Sequence, residues 1–253
     1  MKRIITALIG IPLVIAVIHF APHWLFALVV AVFAGLAFNE LMSFGSARTG
    51  SRPGIWTALV SAAVTASFVG NASWVLTILA AAVLFCCANM AFDGSLDTVL
   101  PNAGLAMLGL VYCSVLLGFV VWLQSNVVLV MLGTIWTGDA AAYYGGRALG
   151  RHKLAPTISP NKTVEGSVAG IIGSIIAGVG LGTWLLGKPI LFLIVASLAA
   201  AIAGQIGDLT ESAFKRSAGV KDSSSLIPGH GGVLDRVDSL LFAAPVFYWF
   251  FNS

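Results

Sequence analysis

Charge is scarce in this sequence. Asp, Glu, Lys and Arg make up 9% of its 253 residues, where a soluble domain carries about 25%. Hydrophobic residues account for 58% and the mean hydropathy is +0.98. So few charges cannot cover a water-facing surface, which excludes an ordinary soluble domain and makes lipid the solvent for most of the chain. Cysteine is nearly absent as well. Cys86, Cys87 and Cys113 lie in apolar runs, without CxxC spacing or a nearby histidine. That excludes a disulfide framework or zinc site and leaves them as small buried hydrophobes. Alternating apolar and polar strands are missing too, so the membrane structure is helical and not a barrel. No soluble domain, low-complexity tract or strong internal repeat is present.

What the sequence does have is a succession of apolar runs, against a need for about 20 residues per membrane helix. Nine are expected, at roughly 4–20, 24–44, 55–70, 72–92, 103–123, 126–147, 164–186, 189–214 and 235–251. The expected fold is an all-α polytopic membrane protein with a cytoplasmic N-terminus and an outside C-terminus. In that arrangement every Lys and Arg except Lys188 falls on the inner side, including Arg48, Arg52, Arg147, Arg151 and Lys153. This is the bias of the positive-inside rule. The opening MKRIITALIG imitates a signal peptide, but its apolar run ends in Phe20-Ala21-Pro22-His23 without a small-x-small site. A retained first helix is expected.

Carboxylates divide the chain. Glu40, Asp93 and Asp97 are the only ones before residue 130, and the remainder lie beyond it. Residues 1–253 are read as a single membrane domain, with 1–130 mainly helical scaffold and 131–253 a catalytic half whose polar site faces the cytoplasm. Span seven carries a small-residue seam, Gly166, Gly170, Ser174, Gly178 and Gly182, four apart and on one face. It suits close helix packing within the chain or between two copies.

Three polar clusters fall near the inner face. In the first, Asp139 sits near the end of an apolar helix, with Tyr143 one turn away. A carboxylate at a helix centre costs about 2.5–3.5 kcal/mol on insertion scales and usually marks function. Pairing with Arg147 or a neighbouring helix is the plainer alternative. In the second, ISPNKTVEG, the donors are Ser159, Asn161, Lys162 and Thr163. Lys162 near a helix N-terminus suits an anion. Thr163 or Asn161 as a cap beside a topology-setting lysine explains the segment equally well.

The third cluster runs from Asp208 to Asp238. Asp208, Glu211, Ser212 and Lys215 share a helix face, which should line a polar cavity because lipid would not accept it. Lys215-Arg216 and Lys221-Asp222 bring phosphate-binding cations. In Gly229-His230-Gly231-Gly232 the glycines let backbone N–H groups approach phosphate oxygens. Asp235 and Asp238, with Asp208, offer hard oxygen ligands for Mg²⁺, which takes one or two carboxylates plus substrate phosphates. Singly, these pieces are also topology signals, a linker and a solvated histidine. Together they describe a site for metal-bound phosphates.

SAFKRSAGVKDSSSLIPGHGGVLDRVD, Ser212 to Asp238, resembles the signature of CDP-diacylglycerol synthases, also called phosphatidate cytidylyltransferases. Its elements are Ser-x-x-Lys-Arg, Lys-Asp and His-Gly-Gly-x-x-Asp-Arg-x-Asp, with every fixed position filled. Asp139, Tyr143, Gly146 and SPNKTVEG resemble a second region of that family, although Val164 stands where Trp is often expected. The resemblance covers roughly residues 135–240. It implies transfer of a cytidylyl group from CTP to phosphatidic acid, giving CDP-diacylglycerol and pyrophosphate.

By the same resemblance Asp208, Asp235 and Asp238 are metal-site residues for Mg²⁺, with a second ion, divalent or potassium, left open. Lys162, Lys215, Arg216 and Lys221 bind phosphates, and Asp222, His230, Gly231, Gly232 and Arg236 shape the substrate pocket. The partners implied are CTP, phosphatidic acid and membrane lipid, with a homodimer compatible and no nucleic acid. The compact length points to a bacterial inner membrane. A CTP-dependent polyprenol kinase is the nearest alternative, but would lack the full signature. A secondary transporter would place its site near the midplane between related halves.

Overall fold

The computed structural model describes residues 2–49, 54–93, 96–226 and 231–252. Side chains are described for the same residues except 2–9, 46–49 and 93. Arg52, Gly229 and His230 therefore lie outside the described residues.

Among the described residues nine helices follow one another, one for each expected apolar run. They are α1 (Lys2–Phe20), α2 (His23–Thr49), α3 (Ile55–Ala66, prolonged by a 3₁₀ turn at Ser67–Val69), α4 (Ala72–Asp93) and α5 (Leu96–Gly118, with a π segment at Leu110–Val115). Then come α6 (Ser125–Leu149), α7 (Val164–Leu186), α8 (Ile190–Ser217) and α9 (Leu234–Asn252). Six of the described helices, α2 and α4 to α8, are long and apolar enough to cross a membrane. The apolar stretches Gly10–Phe20 and Ile55–Val69 are shorter, and α9 begins with Asp235, Arg236 and Asp238. Large apolar side chains such as Trp24, Phe92, Leu100 and Trp184 are exposed on the outside. A surface of that kind belongs in lipid, and the chain is a polytopic, helical membrane protein.

One departure from all-α structure was not expected. Lys153–Ala155 (β1) and Ser159–Thr163 (β2) pair antiparallel, with Lys153 opposite Thr163 and Ala155 opposite Ser159. The segment expected to cap a helix start is also part of a small hairpin leading into α7.

The chain packs as two compact units, Met1–Trp122 with Ser217–Val237, and Leu123–Arg216 with Asp238–Ser253. In the first, α2 lies against α3 and α5 around the buried residues Ala34, Phe38, Val64, Leu110 and Cys113. Buried hydroxyls cross-link these helices. Ser61 Oγ donates to Ala34 O at 3.1 Å and lies 2.8 Å from Ser114 Oγ, and Thr65 Oγ1 donates to Ser114 O at 3.2 Å. Ser114 sits in the π segment, where the altered ladder presents its groups to α3.

In the second unit the glycine seam decides the packing. Gly166, Gly170, Ser174, Gly178 and Gly182 are buried on α7. A Cβ on Gly166 would come within 2.8 Å of Ala142 O and 3.0 Å of Gly146 Cα on α6. Farther along, Gly178 and Gly182 face Ser197 and Leu193 of α8. Of the two uses open to it, the seam serves packing within the chain.

Candidate active site

In the second unit, α6, α7, α8, the hairpin and the part of α9 from Asp238 on line an open cavity of about 540 Å³. Six residues singled out from the sequence line it: Asp139, Tyr143, Asn161, Lys162, Thr163 and Asp208. Their convergence follows from local structure. Asp139 and Tyr143 lie one turn apart on α6. Asn161 to Thr163 are the end of β2, and Asp208 lies on the polar side of α8. Apolar side chains line it as well, among them Ile135, Ala201 and Leu209.

Inside this cavity Lys162 Nζ meets Asp208 Oδ2 at 2.5 Å, both side chains being about a third exposed or less. Asp238, on α9, interacts electrostatically with Asp208 first, then with Asp139 and with Lys215. One turn beyond Asp208, Glu211 is fully buried and forms an ion pair with Lys215. The expected polar stripe on α8 therefore exists, and part of it is neutralised within the protein.

The hairpin is fixed at both ends. Thr163 is the helix cap: its hydroxyl accepts from Gly166 N at 3.1 Å, which decides between Thr163 and Asn161. At the base, Glu165 accepts from Arg151 N at 3.0 Å and from His152 N at 3.2 Å, and its Oε1 is 2.6 Å from His152 Nδ1. Near the turn, Arg216 Nε donates to Ile158 O at 3.1 Å. Ser159 stands in β2, half-buried, and is not among the cavity-lining residues.

Sequence reasoning missed three participants. Glu165 clamps the strand pair that carries Lys162. Ser167 and Gln205 both line the cavity and bond to each other, with Gln205 Nε2 donating to Ser167 O at 3.0 Å. Gln205 lies one turn before Asp208 on the same helix face, which was the available signal.

The rest of the signature belongs to the first unit, where Lys221 and Asp222 are exposed. Asp235 Oδ2 accepts from Ser223 N at 3.0 Å, Ser223 Oγ at 2.8 Å and Gly232 N at 2.8 Å. Glu40 of α2 reaches the same segment. Its Oε1 accepts from Ser224 Oγ at 2.6 Å and Val233 N at 3.0 Å. Its Oε2 accepts from Ser223 Oγ and Leu234 N, each at 2.8 Å. Ser223 has one hydroxyl proton and is shared by the two carboxylates. Gly231 adopts φ +77°, and a Cβ on Gly232 would lie 2.5 Å from Glu40 Oε2, so both positions need glycine. The N–H group of Gly232, expected to approach phosphate, here holds Asp235, and those of Val233 and Leu234 hold Glu40.

No group of three or more His, Cys, Asp or Glu side chains that could hold a metal ion occurs among the described residues. Magnesium needs only one or two carboxylates when phosphates and water complete its shell. Asp208, which lines the cavity, and Asp238, whose charge acts on Asp208, supply carboxylates in that number.

The model of the cytidylyltransferase family matches residues 1–253. A phosphatidate cytidylyltransferase of Staphylococcus haemolyticus is 34% identical over 240 residues, covering 88% of this chain and 86% of that protein. One from Synechocystis sp. is 51% identical over 126 residues, 49% of this chain and 42% of its own length. One from Bacillus subtilis is 48% identical over 116 residues, 46% of this chain and 43% of its own length.

Proposed function

The chain belongs to the cytidylyltransferase family, and on that premise we propose that it transfers the cytidylyl group of CTP to phosphatidic acid, forming CDP-diacylglycerol and pyrophosphate. The observation that carries this reading is the cavity holding Lys162 and Asp208, polar where these side chains meet and apolar along Ile135, Ala201 and Leu209. A lipid phosphate presents the same two characters to its enzyme. The names of the relatives point to the same reaction.

The chemistry needs no protein nucleophile. A phosphatidate oxygen forms a bond to the α-phosphorus of CTP while the bond from that phosphorus to the β-phosphate bridging oxygen breaks. The electron pair leaves with pyrophosphate. The attacking phosphate is already an anion, so no general base is required, and His230 receives no such role. What remains is positioning and charge neutralisation. Lys162 exchanges Asp208 for a substrate phosphate. Lys215, Arg216 and Lys221 add positive charge for the triphosphate. Asn161 and Thr163 orient substrate from the hairpin, and Asp139 with Tyr143 from α6. A magnesium ion, held by Asp208 and Asp238 with Asp235 as a further candidate, would supply charge compensation for the pyrophosphate leaving group.

The distribution of Lys and Arg supports a cytoplasmic N-terminus and a cytoplasm-facing site. The bacterial relatives support a bacterial inner membrane. With the α7 seam used internally, a homodimer would form through another face.

The test is turnover by purified protein in detergent–lipid micelles with Mg²⁺, offering phosphatidate or a polyprenol, with CTP labelled in the cytidine or, in a parallel tube, in the γ-phosphate. Cytidine label entering lipid only with phosphatidate is expected. Transfer of the γ-phosphate to polyprenol would replace this reading with a kinase, and folded protein inactive on both would reopen transport.

A further inference from the structure

Glu40 lies in the second half of α2, in the part of the chain expected to be scaffold, and is only 6% exposed. A carboxylate removed from water is costly unless its lone pairs are satisfied. Its four donors among the described residues are neutral, two hydroxyls and two backbone N–H groups. Val233 N and Leu234 N are among the orphan donors at the start of α9, so Glu40 caps that helix from a different helix.

The donors come in two pairs, from the two ends of one segment. Ser223 and Ser224 precede residues 225–232, and Val233 and Leu234 follow them. Each Glu40 oxygen takes one hydroxyl and one N–H, so a single carboxylate draws both ends together. Asp235 ties the same ends through Ser223 and Gly232. Gly232 has no room for a Cβ because Ser223 Oγ and the Glu40 carboxylate occupy the space.

We propose that Glu40 is a positioning residue for the transfer reaction: it holds Ser223 and Ser224 to Val233 and Leu234 and fixes where α9 begins, and with it Asp235. This rests on the cytidylyltransferase reading for what the segment serves. The side chain itself touches no reacting atom.

Glu40→Gln is the sharp variant. It keeps size and shape, yet turns an NH₂ group toward a backbone N–H that cannot reverse its role. Ser223→Ala with Ser224→Ala removes the two hydroxyls from the other side. Two readouts apply to the full-length protein in micelles. The first is hydrogen exchange of peptides covering 221–240, compared with peptides from α6 and α7. The second is turnover against Mg²⁺ concentration with CTP and phosphatidate.

For Glu40→Gln we expect exchange over 231–237 to accelerate at least tenfold while α6 and α7 stay unchanged. Turnover should fall about 100-fold, and the half-saturating Mg²⁺ concentration should rise several-fold. The double serine variant should move the same readouts in the same direction, less than additively with Glu40→Gln.

Unchanged exchange over 231–237 overturns the proposal. Acceleration throughout the protein, or lost turnover at an unchanged Mg²⁺ requirement, makes Glu40 a general stability residue and also overturns it. Local acceleration with full turnover removes its link to the reaction. Should the wild-type protein fail to turn over CTP with phosphatidate, the functional reading fails. The exchange comparison then still decides whether Glu40 holds the segment.

Discussion

Lys162 Nζ and Asp208 Oδ2 are 2.5 Å apart in the cavity of the second unit. The pair joins β2 to α8 and compensates both charges. A triphosphate would compete with Asp208 for the ammonium, and a cation would compete with the ammonium for Asp208. On the proposed function, this reciprocal exchange would make Lys162 a switchable phosphate ligand. Lys162→Met should lower kcat/KM for CTP about 10- to 100-fold, the range for losing a charge-assisted hydrogen bond. Steady-state kinetics checks this, and a loss below threefold would remove Lys162 from the phosphate site.

Asp208 and Asp238 are proposed to act together, so either one changed to Asn should raise the Mg²⁺ requirement as well as slow turnover. Chelation with EDTA should abolish activity in the wild-type protein, and added Mg²⁺ should restore it. Asp235→Asn should also stop turnover while the protein stays folded, although its carboxylate is engaged with Ser223 and Gly232. The measurement is rate against free Mg²⁺ for each variant. A near-normal rate in Asp238→Asn would move the metal away from this pair.

Glu165 binds the base of the hairpin through Arg151 N, His152 N and His152 Nδ1. Releasing that base should let Lys162 wander without removing it. Glu165→Ala is therefore expected to raise KM for CTP about tenfold, one charge-assisted bond's worth, while kcat falls less. A pure kcat defect with unchanged KM would contradict a clamping role.

The helices were legible because lipid leaves apolar runs no alternative; each run overlaps one helix, and six of the described helices are long and apolar enough to cross a membrane. Asp139, Tyr143, Lys162 and Asp208 were legible because charge and hydrogen-bonding groups are expensive in such surroundings. The hairpin was not, since Lys153–Ala155 and Ser159–Thr163 are too short to show a period, and Pro156 and Pro160 read as breakers. Glu40 showed only as a lone carboxylate in an apolar run. Its partners at Ser223 and Leu234 are far along the chain, and such pairings are made by tertiary packing alone.

The α7 seam separates two kinds of glycine. Gly166 has Ala142 O and Gly146 Cα within 3.0 Å of a would-be Cβ, whereas Gly180 has nothing within 4 Å. Gly166→Ala should destabilise by about 1–3 kcal/mol, the usual cost of overpacking. Gly180→Ala should be neutral or stabilise by up to about 1 kcal/mol through helix propensity. Thermal unfolding in detergent distinguishes them, and equal effects would mean that α6 and α7 do not pack this closely.

The orientation can be tested with charge and chemistry together. If the N-terminus is cytoplasmic, Lys188 lies outside and Lys221 inside, on opposite faces of the membrane. The native cysteines Cys86, Cys87 and Cys113 are first replaced by Ala or Ser, and Lys188→Cys or Lys221→Cys is introduced singly. In intact cells a membrane-impermeant thiol reagent should label the first and spare the second, and both should react after the membrane is opened. Lys188 should also tolerate replacement by Ala with turnover nearly unchanged, because it lies away from the nucleotide. Labelling of Lys221→Cys from outside would turn the proposed site toward the compartment that lacks CTP. The family reaction could not then proceed as described, because the nucleotide must reach Lys162 and Asp208 from the side where it is made.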